Sequence, residues 1–304
     1  MRCLLLAPVL LLASLDDSAT ETIGKAFLEQ VIEQRDFAAA EQLTKANLYF
    51  IDPTAVSLGM PLAEGIRGRK QVLECIQSFG LERAELQPRY EFSAGPYHCF
   101  VGSIKTWARG ATEPATLPFM TTLKVEDGQV IERLDYGDYD VFLPETLRID
   151  GIEADQAHPR VLAAEEYMRA YQARDFEAMQ ALRSDDVVFH DRTALRLGAG
   201  AAIRGNENLN RLQKRTLGAA ESFELELDYR FFHGDFAVFA GTAQTRLAGS
   251  ALGLEQKFLE FSHSLAVVLR FEEDQVVRHE EFADHQRYVL ALDAAKRAAE
   301  RAED

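Results

Sequence analysis

The feature that most constrains this chain is that it repeats itself. EQRDFAAAEQL at 33–43 returns as QARDFEAMQAL at 172–182, and IDPT at 51–54 as HDRT at 190–193. IRG recurs at 66–68 and 203–205, and the pair Tyr90/Phe92 recurs as Tyr229/Phe231. VIERLDYGDY at 130–139 matches VVRHEEFADH at 276–285. The order is kept and the spacing shifts only between motifs, so the chain reads as two copies of one domain of roughly 130 residues.

Periodicity gives each copy the same plan. Apolar residues at helical spacing predict a first helix over 19–34, with Ile23, Phe27 and Val31 on one face. Its partner spans 160–173, with Val161, Ala164, Met168 and Tyr171. Short second helices are expected over 37–46 and 176–183, strands at 48–51 and 187–190, and third helices over 69–79 and 207–217. Four strands then close each copy: 85–93, 97–108, 117–125 and 129–139, against 222–232, 236–247, 257–271 and 275–285. Glu-Asp-Gly-Gln at 126–129 is a tight hairpin signal. Helices first and long hairpin strands after is an α+β order. The division is therefore 1–18 as a signal segment or N-terminal arm, 19–143 and 160–289 as domains, 144–159 as a proline-bounded linker, and 290–304 as a C-terminal helix or tail.

With 49 acidic against 33 basic residues and a net charge of −16, the chain lacks the positive footprint of a nucleic-acid binder. Its three cysteines, Cys3, Cys75 and Cys99, have neither disulfide-framework nor zinc spacing. No glycine-rich nucleotide loop occurs, so no cofactor is expected, and no metal either. The opening apolar run from Cys3 to Ala13 is too short to span a bilayer but fits a signal-peptide core. Export to the periplasm or beyond is the expectation, with the cytoplasm as the alternative.

RDF after the first helix, DDVVFHDRT at 185–193, the IRG turns and the terminal strands, found twice, resemble the nuclear-transport-factor-2-like fold in its polyketide-cyclase-like and ketosteroid-isomerase-like members. The resemblance implies two cone-shaped domains, each with three N-terminal helices packed on a curved, mostly antiparallel sheet around an apolar pocket. It also implies pairing through the sheets, as an intramolecular pseudo-dimer or a homodimer. In isomerase-like members an aspartate after the first strand is the general base; Asp52 and Asp191 stand there. A tyrosine 24 residues earlier donates to the developing oxyanion; Tyr167 matches it, and Leu28 replaces it in the first copy. A second acid is expected where Thr121 and Val267 stand, so the full constellation is missing from both copies.

A carboxylate in an apolar setting acquires a raised pKa suited to proton transfer, and needs a partner for the charge it creates. The candidates are Asp191, Tyr167, Asp52 and Glu281, with Asp135, Tyr136, Asp138, Tyr139, His190, His279 and Asp284 nearby in sequence. Each has a plainer alternative: Asp52 and Asp191 as turn formers, Tyr167 as a core residue. The expected function is a small-molecule isomerase, cyclase or lyase acting on an apolar ligand, mainly through the second domain. The alternative is a non-catalytic tandem that binds an apolar molecule or serves as an interaction scaffold.

Overall fold

A computed structural model describes residues 17–58, 62–108, 110, 112–142, 158–194 and 202–303. Nearly all of the expected N-terminal segment and linker lies outside these residues. The first copy runs α1 (Asp17–Leu28), a π-helical turn (Glu29–Gln34), α2 (Phe37–Gln42), β1 (Thr44–Ile51), β2 (Ile66–Arg67), α3 (Arg69–Gln77), β3 (Leu81–Ala94), β4 (Tyr97–Ala108), β5 (Ala115–Glu126), β6 (Gln129–Gly137) and a 3-10 turn (Tyr139–Phe142). The second runs α4 (Pro159–Ala173), α5 (Phe176–Ala181), β7 (Arg183–Asp191), β8 (Ile203–Arg204), α6 (Asn206–Thr216), β9 (Ser222–His233), β10 (Phe236–Ala248), β11 (Phe258–Glu272), β12 (Gln275–Ala283) and α7 (His285–Glu303).

Both sheets have six strands, in the matching orders β2-β1-β6-β5-β4-β3 and β8-β7-β12-β11-β10-β9. They are mixed: β1 runs parallel to β6 and β7 to β12. By its contacts the chain divides into two compact units. One comprises residues 17–142 with the hairpin end 231–238, and the other comprises 158–230 and 239–303.

The repeated motifs are structural devices. Arg35 and Arg174 adopt φ of 53° and 55°, ending the first helix of each copy in the left-handed region. Asp36 and Asp175 then cap the next helix, accepting from Ala39 N at 2.9 Å and Ala178 N at 3.0 Å. Gly102 and Gly241 lie where the neighbouring strand crosses closely: a Cβ would meet Gln87 O at 2.2 Å or Glu226 O at 1.9 Å. The Asp127–Gly128 turn has φ of 51° and 73°, the geometry its sequence predicts.

The helices bury their apolar faces on the sheets. Phe27, Leu28, Val31 and Ile32 pack with Leu48, Phe50, Leu123 and Val130 in the first copy. Ala164, Tyr167, Met168 and Tyr171 occupy the corresponding face of α4, all at most 2% exposed. Removing one such aromatic side chain costs about 3–5 kcal/mol.

Several element boundaries differ from the sequence expectation. The second helix stops at Gln42 instead of reaching 46, because Thr44 turns its hydroxyl back onto Ala40 O and Glu41 O and pairs with Val130 in the sheet. The last strands stop at Gly137 and Ala283. There Gly137 N donates to Thr54 Oγ1 (2.9 Å) and Ala283 N to Thr193 Oγ1 (2.8 Å). Tyr139 therefore opens a 3-10 turn, and His285 opens α7, whose Tyr288 and Leu292 pack with Leu259 of β11. No helix among the described residues is long and apolar enough to cross a membrane.

Candidate active site

The two aspartates singled out by the repeat are held identically on one side. Asp52 Oδ1 accepts from Thr54 N (3.0 Å), Thr54 Oγ1 (2.6 Å) and Ala55 N (3.0 Å). Asp191 Oδ1 accepts from Thr193 N (3.1 Å), Thr193 Oγ1 (3.0 Å) and Ala194 N (3.0 Å). The turn-forming reading is thus realised, but it uses one carboxylate oxygen and leaves the other for a partner.

That partner differs. Asp52 Oδ2 accepts from the Tyr139 hydroxyl, and Asp52 is 0% exposed. Burial, followed by the nearby charge of Asp135, pushes Asp52 up to about 6 against the hydrogen bonds that oppose the shift. Burial and the Asp52 charge in turn hold the Tyr139 hydroxyl well above its usual range. Asp135 is engaged by Arg133 through Nε–Oδ1 (2.9 Å) and Nη2–Oδ2 (2.6 Å), a buried bidentate pair. Arg133 Nη1 and the Thr121 hydroxyl, buried in the same copy, have no hydrogen-bond partner among the described residues.

In the second copy Asp191 Oδ2 lies 2.9 Å from His285 Nε2, with side chains 13% and 19% exposed. Burial works against ionising Asp191, but the His285 charge and the hydrogen bonds from His285, Thr193 and Ala194 prevail and hold it below the ordinary carboxylate range. Burial likewise works against charging His285, but Asp191, with Glu281 and Asp284 behind it, raises His285 above 6.5. The contact therefore favours the carboxylate–imidazolium form of the pair over the neutral one. His263 stands close by on β11, stacked on Phe261 at 5.5 Å; burial, then the His285 charge, push it down to about 4.

Tyr167 and Glu281 belong to a second buried group. Arg183 Nε donates to the Tyr167 hydroxyl (2.9 Å), which lies 2.8 Å from His279 Nδ1. The Tyr167 hydroxyl donates to Nδ1 or accepts from it according to the tautomer of His279. Nε2 lies 3.0 Å from Glu281 Oε1, which also accepts from Tyr171 (2.9 Å). The rings of Tyr167, Tyr171 and Phe189 surround His279 at 5.6, 5.7 and 5.2 Å. Tyr167 is 0% exposed and occupied on both sides of its hydroxyl. His279–Glu281 occupies the strand positions of Arg133–Asp135, one face of the terminal strand in each copy.

Sequence reasoning missed His285 as the partner of Asp191, although the aligned terminal strands set it opposite Tyr139. The Arg67 guanidinium lies 4.0 Å from the Tyr49 ring centroid. The expectation that no metal would be held is overturned. Asp138, Asp140 and His233 are buried and present ligand atoms all within 4.8 Å of one another. His233 comes from the hairpin end 231–238, which no spacing in the sequence connects to Asp138. A 350 Å³ groove lies between α4 and the β9–β10 strands, lined in part by Glu165, Arg169, Asp228 and Arg230, and none of the predicted site residues borders it.

Residues 164–279 match the family model described as the SnoaL-like domain. The first copy repeats its element order and sheet order, so the fold is a tandem of the nuclear-transport-factor-2-like, SnoaL-like type that the sequence resembles. Similar solved structures include a protein assigned as a SnoaL-like polyketide cyclase from Shewanella denitrificans OS-217 (19% identity, 44% of this chain and 97% of that one, TM-score 0.40). Others are a Mycobacterium tuberculosis LEH-like epoxide hydrolase (18%, 46% and 94%, 0.36) and an NTF2-like protein from Burkholderia thailandensis E264 (18%, 44% and 96%, 0.38). No curated protein matches the chain.

Proposed function

We propose that the chain is a small-molecule isomerase, cyclase or lyase that moves a proton on an apolar ligand, with Asp191 and His285 of the second domain as the working pair. The observation that carries this reading is the 2.9 Å Asp191–His285 contact at a partly exposed position. Asp191, ionised at neutral pH, takes a proton from substrate carbon. His285, protonated, gives its own to the substrate oxygen on which charge develops. Glu281 helps to hold the charge on His285, and Tyr167 positions His279 against Glu281 without meeting the ligand. Asp52, enclosed and paired with Tyr139, belongs to a domain retained as scaffold. The proposal includes a sheet curved into a cone that lets an apolar molecule reach Asp191.

The non-catalytic alternative is favoured by one observation: the 350 Å³ groove borders none of these residues. Native mass spectrometry of gently purified protein, followed by deuterium incorporation into any retained molecule or a panel of cyclic ketones in D₂O, separates the two. Exchange that Asp191→Asn abolishes supports catalysis. Exchange no faster than buffer in the unaltered protein, or unchanged in Asp191→Asn, contradicts it.

A further inference from the structure

We propose that Asp138, Asp140 and His233 form a binding site for a first-row divalent transition-metal ion of the zinc class. His233 Nδ1 lies 3.5 Å from Asp138 Oδ1 and 3.3 Å from Asp140 Oδ1. Metal–ligand bonds of about 2.0–2.2 Å place neighbouring ligand atoms of a tetrahedral or octahedral shell about 3.0–3.6 Å apart. The side chains therefore stand at the separation that a common ion would impose.

Charge gives a second, independent reason. Asp138 and Asp140 are only 4% and 6% exposed and His233 2%. Among the described residues no lysine or arginine pairs with either aspartate. A protonated imidazole between two buried carboxylates leaves one negative charge uncompensated, which is costly in a site shielded from water. A divalent cation with neutral His233 and two carboxylates has no net charge.

The ligands are also held in place without the ion. Asp140 N donates to Asp138 Oδ1 at 3.1 Å, which fixes the turn carrying both carboxylates. The Tyr139 ring stands edge-on to His233, with centroids 5.7 Å apart and planes at 86°. A mixed set of one nitrogen and two oxygens suits zinc, manganese or iron better than magnesium or calcium, which favour oxygen shells. Three protein ligands leave a coordination position for water or a ligand. Because His233 is distant in sequence from Asp138, ligation also cross-links the hairpin end to the 138–142 turn and favours the folded state.

The test uses the full-length chain stripped with EDTA, titrated with Zn²⁺ by calorimetry and with Co²⁺ by visible absorbance. One equivalent is expected to bind and to raise the melting temperature. Asp140→Asn and His233→Ala are each expected to lose both that equivalent and the melting shift. Should His233→Ala fail to fold, the near-isosteric Asp140→Asn decides alone. Absence of saturable binding by the unaltered protein, or retention of the full equivalent in Asp140→Asn, overturns the proposal.

Discussion

Asp52 and Asp191 begin alike and end opposite. Each closes a strand, each spends one oxygen on the same Asp-x-Thr turn, and each turn returns a threonine hydroxyl to the end of the terminal strand. The second oxygen meets a tyrosine in one copy and a histidine in the other. Tyrosine brings no positive charge, so burial dominates and Asp52 shifts up to about 6. Histidine can carry charge, so Asp191 shifts down. One residue at the end of the terminal strand thus separates an enclosed acid from a charged, accessible pair. Duplication kept the turn and let the partner diverge.

The largest expected effect is on turnover. Asp191→Asn should lower it by on the order of 10²–10⁴-fold, the usual contribution of a positioned acid or base, while Asp52→Asn leaves it within a few-fold. Rates measured on the substrate recovered from the native protein check this, and equal losses would break the asymmetry. His285→Gln should match Asp191→Asn. In the unaltered protein the proposed activity should fall as pH rises through the raised His285 value, because the imidazolium is lost.

Stability should divide the copies by sign. A folded Asp52 near 6 holds its proton longer than the unfolded residue near 3.8, so its contribution declines as pH rises between those values. A shift of that size corresponds to about 3 kcal/mol. Asp191 acts the other way, stabilising above 3.8 and losing that contribution as pH falls through its lowered folded value. His285 stabilises below 6.5 and loses its contribution as pH rises through its raised value. In urea unfolding, Asp52→Asn should flatten the slope between about pH 4 and 6, and Asp191→Asn the opposite slope below about pH 4. A smaller effect is expected from Tyr139→Phe, which removes the donor to Asp52 Oδ2 and should cost about 1–3 kcal/mol, read from the same unfolding curves.

Much of the scaffold was legible because its determinants are local. RDF encodes a left-handed arginine and a capping aspartate three positions before the amide it holds; Asp127-Gly128 encodes its own turn. The site was less legible because its determinants are not local. His285 sits where a strand pattern gives way to a helix, and only the register of β12 against β7 brings it to Asp191. Arg183 reaches Tyr167 across a strand start that the periodicity assigned to a helix. His233 joins Asp138 and Asp140 from the other repeat, beyond any motif spacing. The asymmetry itself was visible as mismatched pairs, Leu28 against Tyr167 and Arg133 against His279, without showing that the second copy would build a connected chain from them.

The most direct measurement is a ¹⁵N NMR titration of His285 in the unaltered protein, Asp191→Asn and Asp52→Asn. A pKa above 6.5 that falls in Asp191→Asn and stays in Asp52→Asn is the expected result. A value at or below 6.5, or one indifferent to Asp191, would contradict the charged pair on which the proposed activity of the second domain rests.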